Sequence, residues 1–289
     1  MAISWVDFSI ANHIKTFSLS LERNDFLFLA GETCHDKLLR ALAGFLPDEC
    51  NSADSIRIDG HRLKNKNANS SVLLPKNATQ SFPPHRTIGA FALDLVPGST
   101  KKIIEHCAAG YGIDKKILSS KPGKISPLDK QRVSLWLCSL NQSTAIFIEE
   151  PDGGFFDECR PFDFLQKLVM PKSGVTSCIV YLASQKDSIV KKAKALQFCR
   201  ARIAVFCADR LVEEGEAARI LENPVHVYTK DWLENGTGKP LRAGALWRYC
   251  KRDCPEQYNC TAKQSVSSVM WDCEPPNLHK VVCKGFGGT

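Results

Sequence analysis

Residues 28–42 read Phe-Leu-Ala-Gly-Glu-Thr-Cys-His-Asp-Lys-Leu-Leu-Arg-Ala-Leu, and this stretch decides the fold. It follows the pattern of a phosphate-binding loop, G-x-x-x-x-G-K-[ST], which lies between a buried strand and a helix. Gly31 and Lys37 stand where the first glycine and the lysine belong. Asp36 replaces the second glycine, and Leu38 replaces the serine or threonine. The sequence therefore keeps the outline of the loop but changes two of its working positions.

Both changes disfavour phosphate chemistry. A carboxylate at Asp36 would face the anion, and its Cβ restricts the turn that points N–H groups inward. Leu38 offers no hydroxyl to Mg²⁺. Lys37 can still reach a β- or γ-phosphate, and a solvated lysine in the first helical turn is an equal alternative. For Asp36 we favour a structural role, in which an acid at the helix start caps free N–H groups.

Bulk properties indicate an ordinary globular protein. The 289 residues suffice for one large domain plus an extension, or for two domains. The chain is 44% hydrophobic and 24% charged, as is usual for soluble proteins. No apolar run reaches the roughly 18 residues of a membrane span, and the N-terminus lacks a signal-peptide pattern. We therefore expect a cytoplasmic location. The net charge of +7 is modest, and we expect no nucleic-acid partner.

Short strand-like runs alternate with helical patterns, which predicts an α/β fold. The nearly continuous apolar run at residues 144–148 is typical of a strand buried on both faces. The other predicted strands are residues 3–8, 14–21, 26–30, 55–58, 71–74, 177–182 and 203–206. Helices are expected at residues 37–45 and 187–197, with a mixed helical region at about 83–140. Asp59-Gly60 predicts a tight turn, and residues 235–244 resemble a linker.

Five segments, in order, resemble the ATP-binding subunits of ABC transporters, and within them the peptide/nickel importer group. They are FSLSLERNDFLFLAGETCHDKLLRALAGFLP (17–47), IRIDGHRL (56–63), KISPLDKQRV (124–133), TAIFIEEP (144–151) and RLVEEGEAARILENPVHVYTKDWL (210–233). Within the last segment, NPVHVYT is similar to the stretch most specific to the peptide/nickel group. The implied fold is an α/β, P-loop NTPase-like ABC nucleotide-binding domain at residues 1–234. A helical subdomain is expected at about 83–140, and a small Cys-rich C-terminal extension at 235–289.

The resemblance also implies roles for individual residues. Glu149 takes the place of the aspartate that orients Mg²⁺, and Glu150 takes the place of the general base. Ser126 is the retained serine of the signature loop, and Gln131 follows it. Ser184 stands in place of the switch histidine. We also assign Gly31, Asp36, Lys37 and Leu38 to the nucleotide site.

Several of these positions depart from the family pattern. Pro127 and Leu128 replace the two signature glycines, and Pro127 has no N–H to offer a phosphate. The serine at position 184 is shorter than histidine and cannot carry a positive charge as a protonated histidine does. The sequence therefore predicts degenerate nucleotide motifs, and these changes disfavour ATP and Mg²⁺ as cofactors.

The resemblance implies a subunit of a peptide or peptide-like importer, peripheral to the cytoplasmic face of the membrane. Its expected partners are an intact second ATP-binding subunit in a heterodimer, two transmembrane permease subunits and, indirectly, a substrate-binding protein. Two alternatives stay open. One is a weak but real ATPase using Lys37 and Glu150, and the other is a regulatory ABC-like protein with a redox-sensitive metal module.

Five cysteines crowd into the C-terminal extension. They are Cys250, Cys254, Cys260, Cys273 and Cys283. In a reducing compartment such a crowd suggests zinc or an iron–sulfur cluster rather than disulfides. The tail of the peptide importer subunits is similar and favours a [4Fe–4S] cluster. We expect ligation by Cys250, Cys254, Cys260 and Cys283, with Cys273 as the alternative ligand. The alternative to a metal centre is a set of unliganded thiols.

Overall fold

The structure is a computed structural model, and it describes residues 2–10, 14–31, 36–45, 55–62, 71–76, 82–140, 143–150, 177–183, 185–196, 199–207, 210–235, 270–272 and 279–282. The strands within these ranges are β1 Ile3–Ile10, β2 Ile14–Leu21, β3 Asp25–Gly31, β4 Ile56–Ile58, β5 His61–Arg62, β6 Ser71–Leu74, β7 Ala145–Glu149, β8 Cys178–Leu182, β9 Arg200–Cys207, β10 Arg210–Glu216, β11 Met270–Asp272 and β12 His279–Val282. The α-helices there are α1 Asp36–Leu42, α2 Ile88–Leu95, α3 Lys101–Ala109, α4 Lys115–Ser119, α5 Pro127–Leu140, α6 Lys186–Ala195, α7 Ala217–Glu222 and α8 Val227–Asn235.

The described strands form two sheets. The larger has the order β11-β12-β10-β9-β3-β8-β7-β6. Its five strands from β9 to β6 run parallel, and β10, β12 and β11 are antiparallel additions. The smaller sheet has the order β2-β1-β4-β5 and is antiparallel. Helices that alternate with a largely parallel sheet confirm the predicted α/β fold.

The larger sheet is buried on both faces, which explains the continuous apolar runs in its strands. In β3, Phe26 and Phe28 face the core shared with α2 to α8. The alternate residues Leu27 and Leu29 face the core shared with α1 and the smaller sheet. The two cores thus make three layers, with the parallel strands in the middle.

The region between β6 and β7 contains α2 to α5, as its mixed helical pattern predicts. Each of these four helices begins at a polar cap, because a side-chain oxygen satisfies a free N–H of the first turn. Thr87 accepts from the N–H of Ala90 at 3.3 Å, and Asp114 accepts from the N–H of Ile117 at 2.8 Å. Thr100 caps α3 in the same way.

The smaller sheet contacts α1 through Trp5, and a tight turn connects its strands β4 and β5. The indole N–H of Trp5 donates to the carbonyl oxygen of Leu42 at 3.0 Å. The ring of Trp5 also meets that of Phe147 edge-on, with 6.3 Å between centroids. Between β4 and β5, Asp59 and Gly60 both adopt positive φ, which confirms the predicted turn.

A buried polar cluster joins β2, β3, β9 and β10. Arg200 donates to both carboxylate oxygens of Asp25 at 2.7 Å, and this hydrogen bonding raises the pKa of the Arg200 guanidinium. Arg202 bonds Asp25 at 3.2 Å, Glu214 at 2.9 Å and the carbonyl oxygen of Ser20 at 2.6 Å. The charges are therefore satisfied by partners from distant parts of the sequence.

Two strands of the predicted C-terminal extension, β11 and β12, extend one edge of the larger sheet. In β12, Val281 pairs with Glu213 of β10, and β11 pairs with β12. The five C-terminal cysteines lie outside the described residues. Among the helices that the structure describes, none is long and apolar enough to cross a bilayer.

Candidate functional site

The candidate site lies at the carboxyl ends of the parallel strands. Glu149 pairs in register with Leu182 of β8, and Leu182 pairs with Leu29 of β3. Gly31 follows two residues after Leu29. Strands lie about 4.8 Å apart, so the end of β3 and Glu149 are separated by roughly 10 Å across β8. Ligands of α/β proteins bind outside this edge.

Gly31 is required by packing as well as by the loop pattern. Its φ is +101°, a region that side chains disfavour. A Cβ on Gly31 would lie 1.9 Å from the carbonyl oxygen of Phe206 in the neighbouring β9. The glycine therefore permits close approach of β3 and β9. Residues 32–35, the middle of the loop, lie outside the described residues.

The start of α1 shows where the two substituted loop positions lie. Asp36 is the first helical residue, is exposed and pairs with Arg40 at 3.6 Å. This placement agrees with the structural role expected of an acid at a helix start. Leu38 is 0% exposed and belongs to the core under the smaller sheet. Lys37, between them, is half-buried.

The side chain of Glu149 forms a hydrogen bond with the backbone just after β6. Its Oε2 accepts a hydrogen bond from the backbone N–H of Lys76 at 2.9 Å. Lys76 lies just after β6, on the segment that leads to the helices α2 to α5. The Glu149 carboxylate thus connects two neighbouring strand ends.

Glu150 forms a nearly buried ion pair with α6. Its Oε1 lies 2.5 Å from the Nζ of Lys192, with side-chain exposures of 12% and 7%. Ser188 donates to the same oxygen and accepts a hydrogen bond from Lys192. The ammonium lies 5.6 Å from the ring centroid of Tyr181, within cation–π range. The carboxylate at the general-base position therefore has an immediate cationic partner.

Ser126 caps α5. Its Oγ accepts from the backbone N–H of Asp129 at 3.1 Å and donates to the Asp129 carboxylate at 2.7 Å. Pro127 is the first residue of the helix, a position where its missing N–H costs nothing. Leu128 packs against the large core, and Gln131 is half-buried further along the same helix.

The structure brings together some of the predicted site residues and not others. Gly31, Lys37, Glu149 and Glu150 lie at one edge of the sheet. Ser126 caps α5 and Gln131 belongs to it, in the helical region. Ser184 and the cysteines Cys250, Cys254, Cys260, Cys273 and Cys283 lie outside the described residues. Within the part that is described, no group of three or more His, Cys, Asp or Glu side chains could hold a metal ion.

Sequence reasoning missed Ser188 and Lys192. A spacing of four residues on a helix places two side chains on one face, and this was the available signal. Nothing in the sequence connects that face to Glu150, which lies 42 residues before Lys192. The pairing of the strands β7 and β8 brings them together.

Three curated relatives match much of the chain. The metal-staphylopine import system ATP-binding protein CntD of Staphylococcus aureus is 22% identical over 78% of this chain and 87% of the relative. The spermidine/putrescine import ATP-binding protein PotA of Roseobacter denitrificans is 25% identical over 76% and 60%. The methionine import ATP-binding protein MetN 1 of Pectobacterium atrosepticum is 28% identical over 51% and 42%. No protein-family model matches the sequence.

Solved structures support the fold. An ATP-binding subunit of an ABC transporter superposes with a TM-score of 0.61 at 16% identity, covering 76% of this chain and 92% of that one. A putative ABC transporter ATP-binding protein from Pyrococcus furiosus gives 0.53 at 15% identity, covering 71% and 97%. The chain therefore has the fold of an ABC-transporter ATP-binding subunit, as the sequence motifs predict.

Proposed function

We propose that this chain is the ATP-binding-cassette subunit of an ABC importer in which hydrolysis at its own site is lost or weak. The fold and the curated relatives, each named as an import ATP-binding protein, support the first part. The retained Gly31 and Lys37 support residual nucleotide binding, because a lysine at this position reaches β- or γ-phosphate oxygens.

The impaired chemistry rests on Leu38. The loop pattern requires a hydroxyl here to hold Mg²⁺, and the leucine is instead 0% exposed in the core. The site residues therefore fit Mg²⁺ poorly. Because hydrolysis depends on metal placement, phosphate clamping and water orientation together, the combined changes should cost more than about 4 kcal/mol, or roughly 10³ in rate.

The signature segment supports the same conclusion. Ser126 and Asp129 hydrogen-bond each other at the start of α5. Pro127 cannot donate an N–H, and Leu128 is packed against the core. This segment serves as a helix start, and it offers fewer donors to a phosphate held by a second subunit.

The proposed partners follow from the importer assignment. They are a second, intact ATP-binding subunit in a heterodimer, two transmembrane permease subunits and an external substrate-binding protein reached through them. The chain would lie peripherally on the cytoplasmic face of the membrane. We propose a peptide or peptide-like substrate on the strength of residues 223–229, Asn-Pro-Val-His-Val-Tyr-Thr. Glu213 orders this segment by accepting from the N–H groups of Val225 and His226.

A C-terminal metal centre, [4Fe–4S] or alternatively zinc, is part of the proposal. Thiolates are the donors that either centre prefers. We propose Cys250, Cys254, Cys260 and Cys283 as the ligands, with Cys273 as the spare cysteine, on the similarity of this tail to that of the peptide importer subunits.

Purification from membranes tests the importer assignment. Affinity-tagged full-length chain, expressed in its native cell, is extracted in mild detergent, and the proteins retained with it are identified by mass spectrometry. We expect two multi-spanning permeases and a second ATP-binding subunit in stoichiometric amounts. Recovery of the chain alone in the soluble fraction would contradict the assignment and favour the regulatory alternative.

A further inference from the structure

Glu149 is the last residue of β7 and Glu150 follows it, and each carboxylate binds a different neighbouring segment. Glu149 accepts from the backbone N–H of Lys76 at 2.9 Å, beyond β6. Glu150 binds Lys192 at 2.5 Å, on the helix that follows β8. In the parallel sheet β7 lies between β6 and β8. The two acids therefore connect the end of β7 to both of its neighbours.

We propose that Lys192 and Ser188 hold Glu150 in a structural latch between β7 and α6, and that Lys192 is the positioning residue that keeps this carboxylate away from water activation. This inference rests on the proposed function, because the general-base role belongs to the same site. Glu150 would then have a structural role at the position where the sequence predicts a general base.

The contacts around Glu150 fix both its backbone and its carboxylate. The Glu150 N–H donates to the carbonyl oxygen of Leu182 at 2.8 Å, which continues the β7–β8 pairing. Ser188 and Lys192, four residues apart on α6, both reach Oε1. The ring of Tyr181 lies beside the ammonium. The carboxylate is thus held from the strand, the helix and the neighbouring β8.

The chemistry of the pair opposes general-base catalysis. A base must come within hydrogen-bond reach of the water whose proton it takes. The ammonium of Lys192 at 2.5 Å and the hydroxyl of Ser188 both occupy Oε1 of Glu150, so this oxygen is not open to a water. Moving the carboxylate toward a nucleotide would break a nearly buried ion pair, which is costly.

Lysine labelling of the full-length protein tests the latch without relying on catalysis. The chain is exposed to an amine-reactive reagent, and the rate at each lysine is read by mass spectrometry. Lys194, exposed on the same helix, is the matched control. We expect Lys192 to react at least tenfold more slowly than Lys194, and to react several-fold faster in Glu150→Gln. Equal rates at the two lysines in the unmodified chain would overturn the latch.

The same labelling with Mg-ATP present separates a latch from a base that is released on nucleotide binding. We expect the Lys192 rate to change less than twofold when millimolar Mg-ATP is added. A several-fold rise on addition of Mg-ATP would show that Glu150 leaves Lys192, and it would overturn the proposal.

Stability measurements on a set of variants give an independent test. Glu150→Gln or Lys192→Met should each lower Tm on the order of 10 °C, because each leaves a buried group unmatched. The double variant should recover at least half of the loss, and Lys192→Arg should retain most of the Tm. Lys194→Met is the control and should change Tm by less than about 2 °C. Additive losses in the double variant would contradict the latch.

The outcomes distinguish this inference from the importer assignment. If the chain fails to co-purify with permeases and Lys192 is still protected, the latch stands and the assignment fails. If permeases co-purify and Lys192 labels as fast as Lys194, the assignment stands and the latch fails.

Discussion

The side chains of Ser126 and Asp129 form a closed pair at the start of α5. The serine Oγ accepts from the Asp129 N–H at 3.1 Å and donates to its carboxylate at 2.7 Å. Asp129 also pairs with Arg132 at 3.3 Å. A serine that resembles a signature residue by sequence is therefore part of a helix cap, as are the Ser-x-x-acid patterns of ordinary helices.

Removing the cap should weaken the fold. Ser126→Ala loses the oxygen that accepts from Asp129, and we expect a loss of about 1 kcal/mol in the free energy of unfolding. Ser126→Thr keeps the oxygen and should stay within about 0.5 kcal/mol of the parent. Urea denaturation of the two variants makes the comparison. Equal stability of Ser126→Ala and the parent would show that the cap contributes nothing.

Glycine substitutions should separate steric clash from backbone strain. Gly31→Ala places a Cβ 1.9 Å from a carbonyl oxygen and should reduce soluble expression or lower Tm by more than about 10 °C. Gly60→Ala, at φ +82° with no atom within 4 Å, should cost only about 1 kcal/mol. Gly123→Ala, in open space without a positive φ, should be near neutral. Similar Tm values for Gly31→Ala and Gly123→Ala would contradict the close approach of β3 and β9.

Buried thiols should make stability fall at high pH. Burial raises the pKa of Cys138 from 9.0 to about 12. The folded state then binds the thiol proton more tightly than the unfolded state. This contribution is fully present below pH 9 and is lost as the pH rises toward 12.

Urea denaturation at pH 8 and pH 10.5 measures this loss. We expect on the order of 2 kcal/mol from Cys138 over this interval. Because lysines and tyrosines also titrate there, the matched comparison is Cys138→Ala, whose pH dependence should be shallower by that amount. Identical pH dependence in the parent and Cys138→Ala would contradict the burial of this thiol.

The C-terminal cysteines make a paired prediction. If a metal centre uses Cys283 and not Cys273, Cys283→Ser should lose most of the bound iron and acid-labile sulfide, or zinc. Cys273→Ser should retain it. Metal and sulfide analysis of anaerobically purified full-length protein decides the outcome. If Cys273→Ser loses the metal and Cys283→Ser retains it, the ligand assignment is reversed. If the parent protein contains no metal, the proposed metal centre is wrong.

Much of the fold could be predicted because its strands are locally distinctive. The run at residues 26–30 is apolar throughout and the run at residues 144–148 is nearly so, as burial on both faces of a sheet explains. The strand β10 escaped prediction because Glu213 and Glu214 interrupt its apolar pattern. Both acids are buried, and their partners, Val225 and Arg202, lie twelve residues away along the chain in opposite directions.

The grouping of candidate residues at one sheet edge could be predicted, whereas their contacts could not. Gly31 and Glu149, chosen from motif spacing, end the parallel strands β3 and β7 on either side of β8. Their role in nucleotide chemistry stays a prediction. The partners of the two acids lie far along the chain: Lys76 is 73 residues from Glu149, and Lys192 is 42 residues from Glu150. The order of the strands in the sheet determines which of these distant residues meet, and local sequence patterns do not predict that order.

Steady-state ATP turnover by the full-length chain, measured in excess Mg-ATP beside the Glu150→Gln variant, tests the loss of hydrolysis most directly. We predict a rate below about 10⁻² s⁻¹, roughly 10³ under the median enzyme, and no further decrease in Glu150→Gln. Turnover of about 1 s⁻¹ or faster that Glu150→Gln abolishes would contradict it, because Glu150 would then be a working general base.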